Sequence, residues 1–166
     1  MWREVEISPE RVHSCSSIAQ IVGHGGIKTT RSALDYLDDL DTLDYLEAMK
    51  TGHQLIDEAK TRIRQISPRE VIQMRERGED FAIIDVREDR EWNLGHLPGA
   101  VHVARGTLEG KIEGAVPRER KVVLYCARGN RSALAADTMR EMGYRDVASM
   151  TGGIQSWVDA GGEIEG

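Results

Sequence analysis

The residues best suited to chemistry in this sequence lie at positions 126–132, where a cysteine is followed by two arginines and a glycine (CARGNRS). Cys126 is a candidate nucleophile, and Arg128 and Arg131 are candidate ligands for a small anion. Neighbouring guanidinium groups favour the thiolate form of a cysteine, which is the form that attacks. Gly129 lets the loop bend so that main-chain N–H groups point inward and hold a negatively charged sulfur or oxygen. The segment therefore predicts a cysteine nucleophile that needs no general base.

Two predicted elements flank Cys126. KVVLYC (residues 121–126) is typical of a buried strand, and SALAADTMREMG (residues 132–143) carries an apolar helical stripe that ends at Gly143. Ligands of α/β sheets bind beyond the carboxyl ends of the strands, and the unpaired N–H groups of a helix N-terminus face that space. We therefore expect Cys126 in a positive field at the carboxyl edge of a sheet.

Short apolar runs alternate with helical stretches from Ile66 onward, a pattern typical of a parallel sheet covered by helices. The other strand candidates are residues 81–86, 100–103 and 146–150. Helices are predicted at residues 67–78, where a serine cap precedes proline, and at residues 153–161. The predicted fold class is α/β, a parallel sheet of about five strands with helices on both faces.

Residues 1–52 have a different character and predict an acidic helical extension. Leucines recur there at a spacing of three between Leu34 and Leu46, with acidic residues between them. QLIDEAKTRIRQI (residues 54–66) predicts a lead-in helix, so the second domain is assigned to residues 53–166. The apolar stripe of the extension must pack on something, which makes it a candidate for self-association.

The net charge of −6 and the pI near 5.4 argue against a nucleic-acid or membrane-surface partner, because both require a basic face. No apolar run is long enough to span a bilayer, and the N-terminus lacks an apolar signal segment, so we predict a cytoplasmic protein. Positive charge is nevertheless concentrated near the cysteine, since residues 118–131 hold five basic side chains and one acidic one. That balance favours a small anionic substrate.

The chain has two cysteines, Cys15 and Cys126, far apart in sequence. They show neither C-x-x-C nor Cys/His spacing, so neither a metal site nor a structural disulfide is predicted. Cys126 is expected to be a free thiol.

Three segments resemble the motifs of the rhodanese-like sulfurtransferases. CARGNRS resembles the active-site loop C-x-x-G-x-R-S/T. IIDVREDREWNLGHLPGAVHV (residues 83–103) resembles the signature D-V-R-x-x-x-E-W/F-x-x-G-H-I/L-P-G-A, and TGGIQSWVDAG (residues 151–161) resembles the signature G-G-x-x-x-W. The resemblance covers about residues 65–162, with the three motifs in the family's order.

The resemblance implies that Cys126 takes the outer sulfur of a donor such as thiosulfate, releases sulfite and holds the sulfur as a persulfide. No cofactor beyond this covalent persulfide is implied. Cyanide, a cellular thiol or a protein acceptor docked by the N-terminal helices would then take the sulfur. The implied substrate-binding residues are Arg131, Arg128, Gly129, Asn130, Ala127, Ser132 and Arg87.

Acidic residues of the first signature have further implied roles. Asp85 is expected to brace the loops by pairing with Arg87. Glu91 stands where some two-domain thiosulfate enzymes resembling this chain carry an arginine, a departure that leaves the preferred donor open.

Structural roles are predicted for the aromatic residues and histidines of the signatures. His96 lies in a turn where a histidine usually bonds backbone groups, and His102 is expected to pack within a strand. Trp92 and Trp157 are assigned to core packing. Cys15 is a candidate to resolve a persulfide at Cys126.

Two other function classes stay open. One is a Cdc25-like phosphatase or arsenate reductase, whose architecture resembles the rhodanese fold but whose loop has five residues between cysteine and arginine, where this chain has four. The other is a binding or regulatory module that recognises a partner and assembles through the N-terminal helices.

Overall fold

A five-stranded sheet forms the centre of the computed structural model, which describes residues 49–166. The strand order is β1-β5-β4-β2-β3, and every neighbouring pair is parallel. The strands are β1 Arg64–Ile66, β2 Ala82–Asp85, β3 Val101–His102, β4 Val122–Tyr125 and β5 Val147–Met150. The predicted α/β class with a parallel sheet of about five strands is confirmed.

Helices cover both faces of this sheet. They are α1 Gly52–Arg62, α2 Pro68–Glu76, α3 Asp89–Trp92, α4 Leu108–Ala115, α5 Asn130–Glu141 and α6 Gly153–Asp159, with a 3₁₀ turn at Arg105–Thr107. Helices α1, α4 and α5 pack on one face, and α2 and α6 pack on the other. Because β2, β4 and β5 are buried on both faces, most of their residues are apolar.

Capping explains why α2 begins where the sequence predicts. The Ser67 hydroxyl accepts a hydrogen bond from the Glu70 N–H at 3.2 Å, and the Glu70 carboxylate accepts one from the Ser67 N–H at 2.9 Å. Pro68 occupies the first helical position, where its missing N–H costs nothing. Two reciprocal bonds thus fix the end of this helix.

The lead-in helix predicted for residues 54–66 is wrong at its C-terminal end. The helix stops at Arg62, and Arg64–Ile66 forms the edge strand β1 beside β5. Two of its three residues are exposed, so β1 has no alternation of apolar side chains to signal it. Main-chain pairing with β5 makes it a strand, and such pairing depends on residues more than eighty positions away.

Several predictions concern residues 1–48, which lie outside the described residues. These are the acidic N-terminal helices, the leucine pattern and Cys15. The domain boundary at residue 52 therefore stays a prediction. Within residues 49–166, no helix combines the length and apolar character needed to cross a membrane.

Candidate active site

Cys126 follows β4 at the carboxyl edge of the sheet and is a buried free thiol, 2% exposed. The strands β2 and β5 flank β4, so the residues that follow all three strands approach the same edge. The Gly129 N–H donates to the Cys126 sulfur across 3.1 Å. The Ser132 hydroxyl lies 3.6 Å from the same sulfur. Two donors thus point at one sulfur atom.

The loop after Cys126 is shorter than predicted, because α5 begins at Asn130 rather than Ser132. Gly129 is its N-cap, with a φ of +95° that side chains disfavour. Ala127 is half-buried, Arg128 and Asn130 are exposed, and Ser132 is buried on the first turn of the helix. The cysteine therefore lies against the N-terminus of a twelve-residue helix, where N–H groups and the helix dipole favour negative charge.

The glycine motif of residues 151–153 leads into the first turn of α6, which is hydrogen-bonded to the main chain of the Cys126 loop. The Ile154 N–H donates to the Cys126 carbonyl at 2.8 Å, and the Gln155 N–H donates to the Ala127 carbonyl at 3.4 Å. A Cβ atom on Gly153 would lie 2.1 Å from the Cys126 carbonyl oxygen. Only glycine permits this approach, which ties the N-terminus of α6 to the active-site loop.

Arg131 is held by a carboxylate of α3. Its guanidinium donates to the two Glu91 carboxylate oxygens at 2.6 and 2.9 Å, and Glu88 lies 3.9 Å away. The hydrogen bonds from Arg131 lower the pKa of Glu91 to about 2, and the same pairing raises the pKa of Arg131. In the structure, the guanidinium predicted to bind an anionic substrate is thus paired with Glu91.

The positive charge predicted around Cys126 is largely absent from that end of the sheet. Arg118, Arg120 and Lys121 precede β4 at its opposite end and pair with Glu113, Asp80 and Glu79. The strand between them and Cys126 rises roughly 3.3 Å per residue. These three basic residues are therefore separated from Cys126 by the length of β4, although they are close to it in sequence. Within residues 49–166, the Arg128 side chain has no hydrogen bond or ion pair and is exposed.

Asp85 and Arg87 form a buried ion pair at the end of β2. Arg87 donates to Asp85 through Nε and Nη2 at distances of 2.6 to 3.0 Å, and Nη2 also donates to the Gly95 carbonyl at 2.7 Å. Asp85 is 0% exposed and Arg87 is 6% exposed. This geometry favours the bracing role over contact between Arg87 and a substrate.

The aromatic residues of the signatures have different surroundings. Trp157 is buried in the core, as predicted, and its Nε1–H donates to the Glu163 carbonyl at 2.8 Å. The prediction of core packing is wrong for Trp92, which is half-buried and stacks on the His96 and His102 rings at centroid distances of 3.5 and 4.9 Å. The His102 Nε2 atom lies 2.9 Å from the Arg87 carbonyl oxygen, so His102 also contacts the backbone.

Sequence reasoning missed one polar residue near Cys126. Ser149, on β5, is 2% exposed, and its hydroxyl lies 2.8 Å from that of Ser132. A serine in the otherwise apolar strand VASM (residues 147–150) is the signal that could have identified it, since buried hydroxyls need partners.

A buried cysteine at the carboxyl edge of a parallel sheet, next to a helix N-terminus, defines an α/β domain with a cysteine loop. Residues 67–160, more than half of the sequence, match the family described as Rhodanese-like domain. The chain belongs to the rhodanese-like domain family.

Individual relatives support this assignment at modest identity. The "Probable adenylyltransferase/sulfurtransferase MoeZ" of Mycobacterium tuberculosis is 36% identical over 93 residues, which are 55% of this chain and 24% of that protein. The chain thus spans about a quarter of this relative. The "Thiosulfate sulfurtransferase GlpE" of Shewanella oneidensis is 32% identical over 58% of this chain and 94% of its own length.

A solved structure extends the similarity. RPA3614 of Rhodopseudomonas palustris, described as of unknown function and as a possible tyrosine phosphatase, is 38% identical with a TM-score of 0.65. The match covers 70% of this chain and 96% of that one.

Proposed function

We propose that this protein is a sulfurtransferase that moves a sulfane sulfur from a small anionic donor, such as thiosulfate, to a thiol or cyanide. The carrier is a persulfide on Cys126. The observation that carries the proposal is the 3.1 Å hydrogen bond from the Gly129 N–H to the Cys126 sulfur at the N-terminus of α5. This arrangement stabilises a negatively charged sulfur, which both the attacking thiolate and the persulfide require.

The reaction has two nucleophilic steps with one covalent intermediate. The Cys126 sulfur attacks the outer sulfur of thiosulfate, a new S–S bond forms, and the old S–S bond breaks as sulfite leaves with the electron pair. Cyanide or a thiolate then attacks the outer sulfur of the persulfide, and the Cys126 thiolate leaves with the electron pair. No net oxidation and no general base are required, and the kinetics are ping-pong.

Arg128 is assigned the attraction of the anionic donor. It is the exposed loop arginine, and within residues 49–166 no carboxylate pairs with it. Arg131 adds a direct contact where the donor displaces Glu91. Ala127 and Asn130 contribute main-chain groups of the loop. Arg87 is assigned an indirect role, in which it braces the site through its ion pair with Asp85.

The names of two relatives agree with this proposal. GlpE is named as a thiosulfate sulfurtransferase, and MoeZ as a combined adenylyltransferase and sulfurtransferase. Because the chain covers 24% of MoeZ, the physiological donor and acceptor are left to experiment.

Intact mass spectrometry after incubation with thiosulfate tests the proposal. The wild-type protein should gain about one sulfur atom, lose it on addition of cyanide, and release thiocyanate. The adduct should be absent from Cys126→Ser and present in Cys15→Ser, a control that leaves the proposed nucleophile intact. An adduct that persists in Cys126→Ser, or none with thiosulfate and a glutathione persulfide, would refute it.

A phosphatase is the second candidate, favoured by the similarity to RPA3614. The four residues between Cys126 and Arg131 argue against it, because the resembling phosphatases have five and the smaller loop suits a sulfur atom better than a tetrahedral phosphate. Hydrolysis of p-nitrophenyl phosphate by the wild type but not by Cys126→Ser would reverse this ranking.

A further inference from the structure

Two buried hydroxyls lie behind the cysteine sulfur. Ser132 is on the first turn of α5 and Ser149 is on β5, with exposures of 0% and 2%. The Ser132 oxygen lies 2.8 Å from the Ser149 oxygen, 3.2 Å from the Gly129 carbonyl oxygen and 3.6 Å from the Cys126 sulfur. The four groups form a continuous polar path through a cluster that is otherwise apolar.

The number of hydroxyl protons determines which of the two serines donates in the hydrogen bond between them. Each hydroxyl carries one proton and can accept bonds through its lone pairs. Among the described residues, the Ser149 hydroxyl has a single hydrogen-bond partner, Ser132. If Ser132 donated to Ser149, the Ser149 proton would be buried without an acceptor, which is unfavourable. Ser149 therefore donates, and Ser132 keeps its proton for the Gly129 carbonyl or the Cys126 sulfur.

We propose that Ser149 is a positioning residue that directs the Ser132 hydroxyl toward the Cys126 sulfur. This inference rests on the proposed function, since it concerns the same nucleophile. When the sulfur is negatively charged, the Ser132 proton turns from the Gly129 carbonyl to the sulfur, because a hydrogen bond to a charged acceptor is stronger. The bond from Ser149 polarises the Ser132 hydroxyl and makes it a better donor.

Alkylation of Cys126 by iodoacetamide tests this role without any sulfur donor. We expect Ser149→Ala to slow alkylation at neutral pH about 3- to 10-fold, the range of one neutral hydrogen bond, and to move the pH dependence of alkylation to higher pH. The two arginines of the loop, Arg128 and Arg131, and the Arg131 partner Glu91 are unchanged in every variant. The experiment is done in a Cys15→Ser background, so that one thiol reports.

A double-mutant cycle distinguishes positioning from a general structural effect. If Ser149 acts through Ser132, then Ser149→Ala should slow alkylation in the parent and leave the rate unchanged in a Ser132→Ala background. An equal effect in both backgrounds, or no effect in the parent, would overturn the proposal.

A matched pair of substitutions covers the case in which the alanine variant fails to fold. Ser149→Thr and Ser149→Val differ in one hydroxyl, have nearly the same volume, and both suit a strand. Cys126 should be alkylated about 3- to 10-fold faster in the threonine variant than in the valine variant, because roughly one hydrogen bond separates them. Equal rates would contradict the inference. If the wild-type protein formed no persulfide, the proposed function would be refuted but the role of Ser149 would not, because alkylation of Cys126 does not depend on persulfide formation.

Discussion

Replacing Glu91 by glutamine removes the negative charge that pairs with Arg131 in the Cys126 loop. The Glu91 carboxylate accepts bonds from Arg131 at 2.6 and 2.9 Å and from the Glu88 N–H at 3.2 Å. Glutamine keeps the shape of the side chain, but it offers one oxygen and no charge. The variant therefore weakens the link between α3 and α5, and we expect a lower free energy of unfolding.

The pKa of Glu91 sets the size of this effect. The hydrogen bonds from Arg131 lower it from 4.5 to about 2. At about 1.36 kcal/mol per pKa unit, this shift gives an upper limit of about 3.4 kcal/mol. Water screens the pair, since the side chains of Arg131 and Glu91 are 34% and 27% exposed. We therefore expect the loss at pH 7 to be about 1 to 2 kcal/mol.

The pH dependence follows from the sign of the shift. A carboxyl group with a lowered pKa stabilises the fold fully above pH 4.5, and this contribution is lost as the pH falls toward 2. The difference between wild type and Glu91→Gln should therefore be full at pH 7 and clearly smaller at pH 3.

Urea unfolding of both proteins at pH 7, 5 and 3, followed by tryptophan fluorescence, measures this difference. Glu109→Gln is the control, because Glu109 accepts a single bond from Arg105 at 2.8 Å and is half exposed. Its effect should stay below about 0.5 kcal/mol. A Glu91→Gln effect no larger than the control's, or one that is equal at pH 7 and pH 3, would refute the reasoning.

Two further substitutions test the supports of the loop. Asp85→Asn leaves the buried Arg87 without a charged partner and should lower the free energy of unfolding by about 3 to 5 kcal/mol, as measured by urea unfolding; a loss below about 1 kcal/mol would show that the pair does not brace the site. Gly153→Ala places a Cβ 2.1 Å from the Cys126 carbonyl oxygen and should cut persulfide formation at least about tenfold. Gly78→Ala has a similar φ, +67° against +60°, but nothing within 4 Å, so it should keep the activity; equal activity in both variants would exclude the clash as the cause.

Local patterns predicted the elements whose signals are local. The runs of β2, β4 and β5 are buried on both faces and are therefore mostly apolar, with Asp85 and Ser149 as the exceptions, and Ser67 and Pro68 mark the start of α2. The edge strand β1 escaped prediction because its pairing with β5 is made by main-chain groups.

Charge was the least predictable property of the site. Arg118, Arg120 and Lys121 are neighbours of Cys126 in sequence, but β4 carries them to the other end of the sheet. Arg131 remains close, yet its carboxylate partner Glu91 is 40 positions away. The sequence shows how many charged residues lie near Cys126 along the chain, but the electrostatic field at the sulfur depends on distances that only the folded structure sets.

The sequence by itself determined the family and the loop that surrounds Cys126, the proposed nucleophile, because a cysteine, a glycine and a helix start lie within seven residues of one another. Tertiary structure decided what surrounds that loop. It brings Glu91 to Arg131, Gly153 to the Cys126 carbonyl and Ser149 to Ser132. These contacts join residues from separate strands and helices, and only the packing of α3, α5 and α6 around the sheet edge brings those residues together.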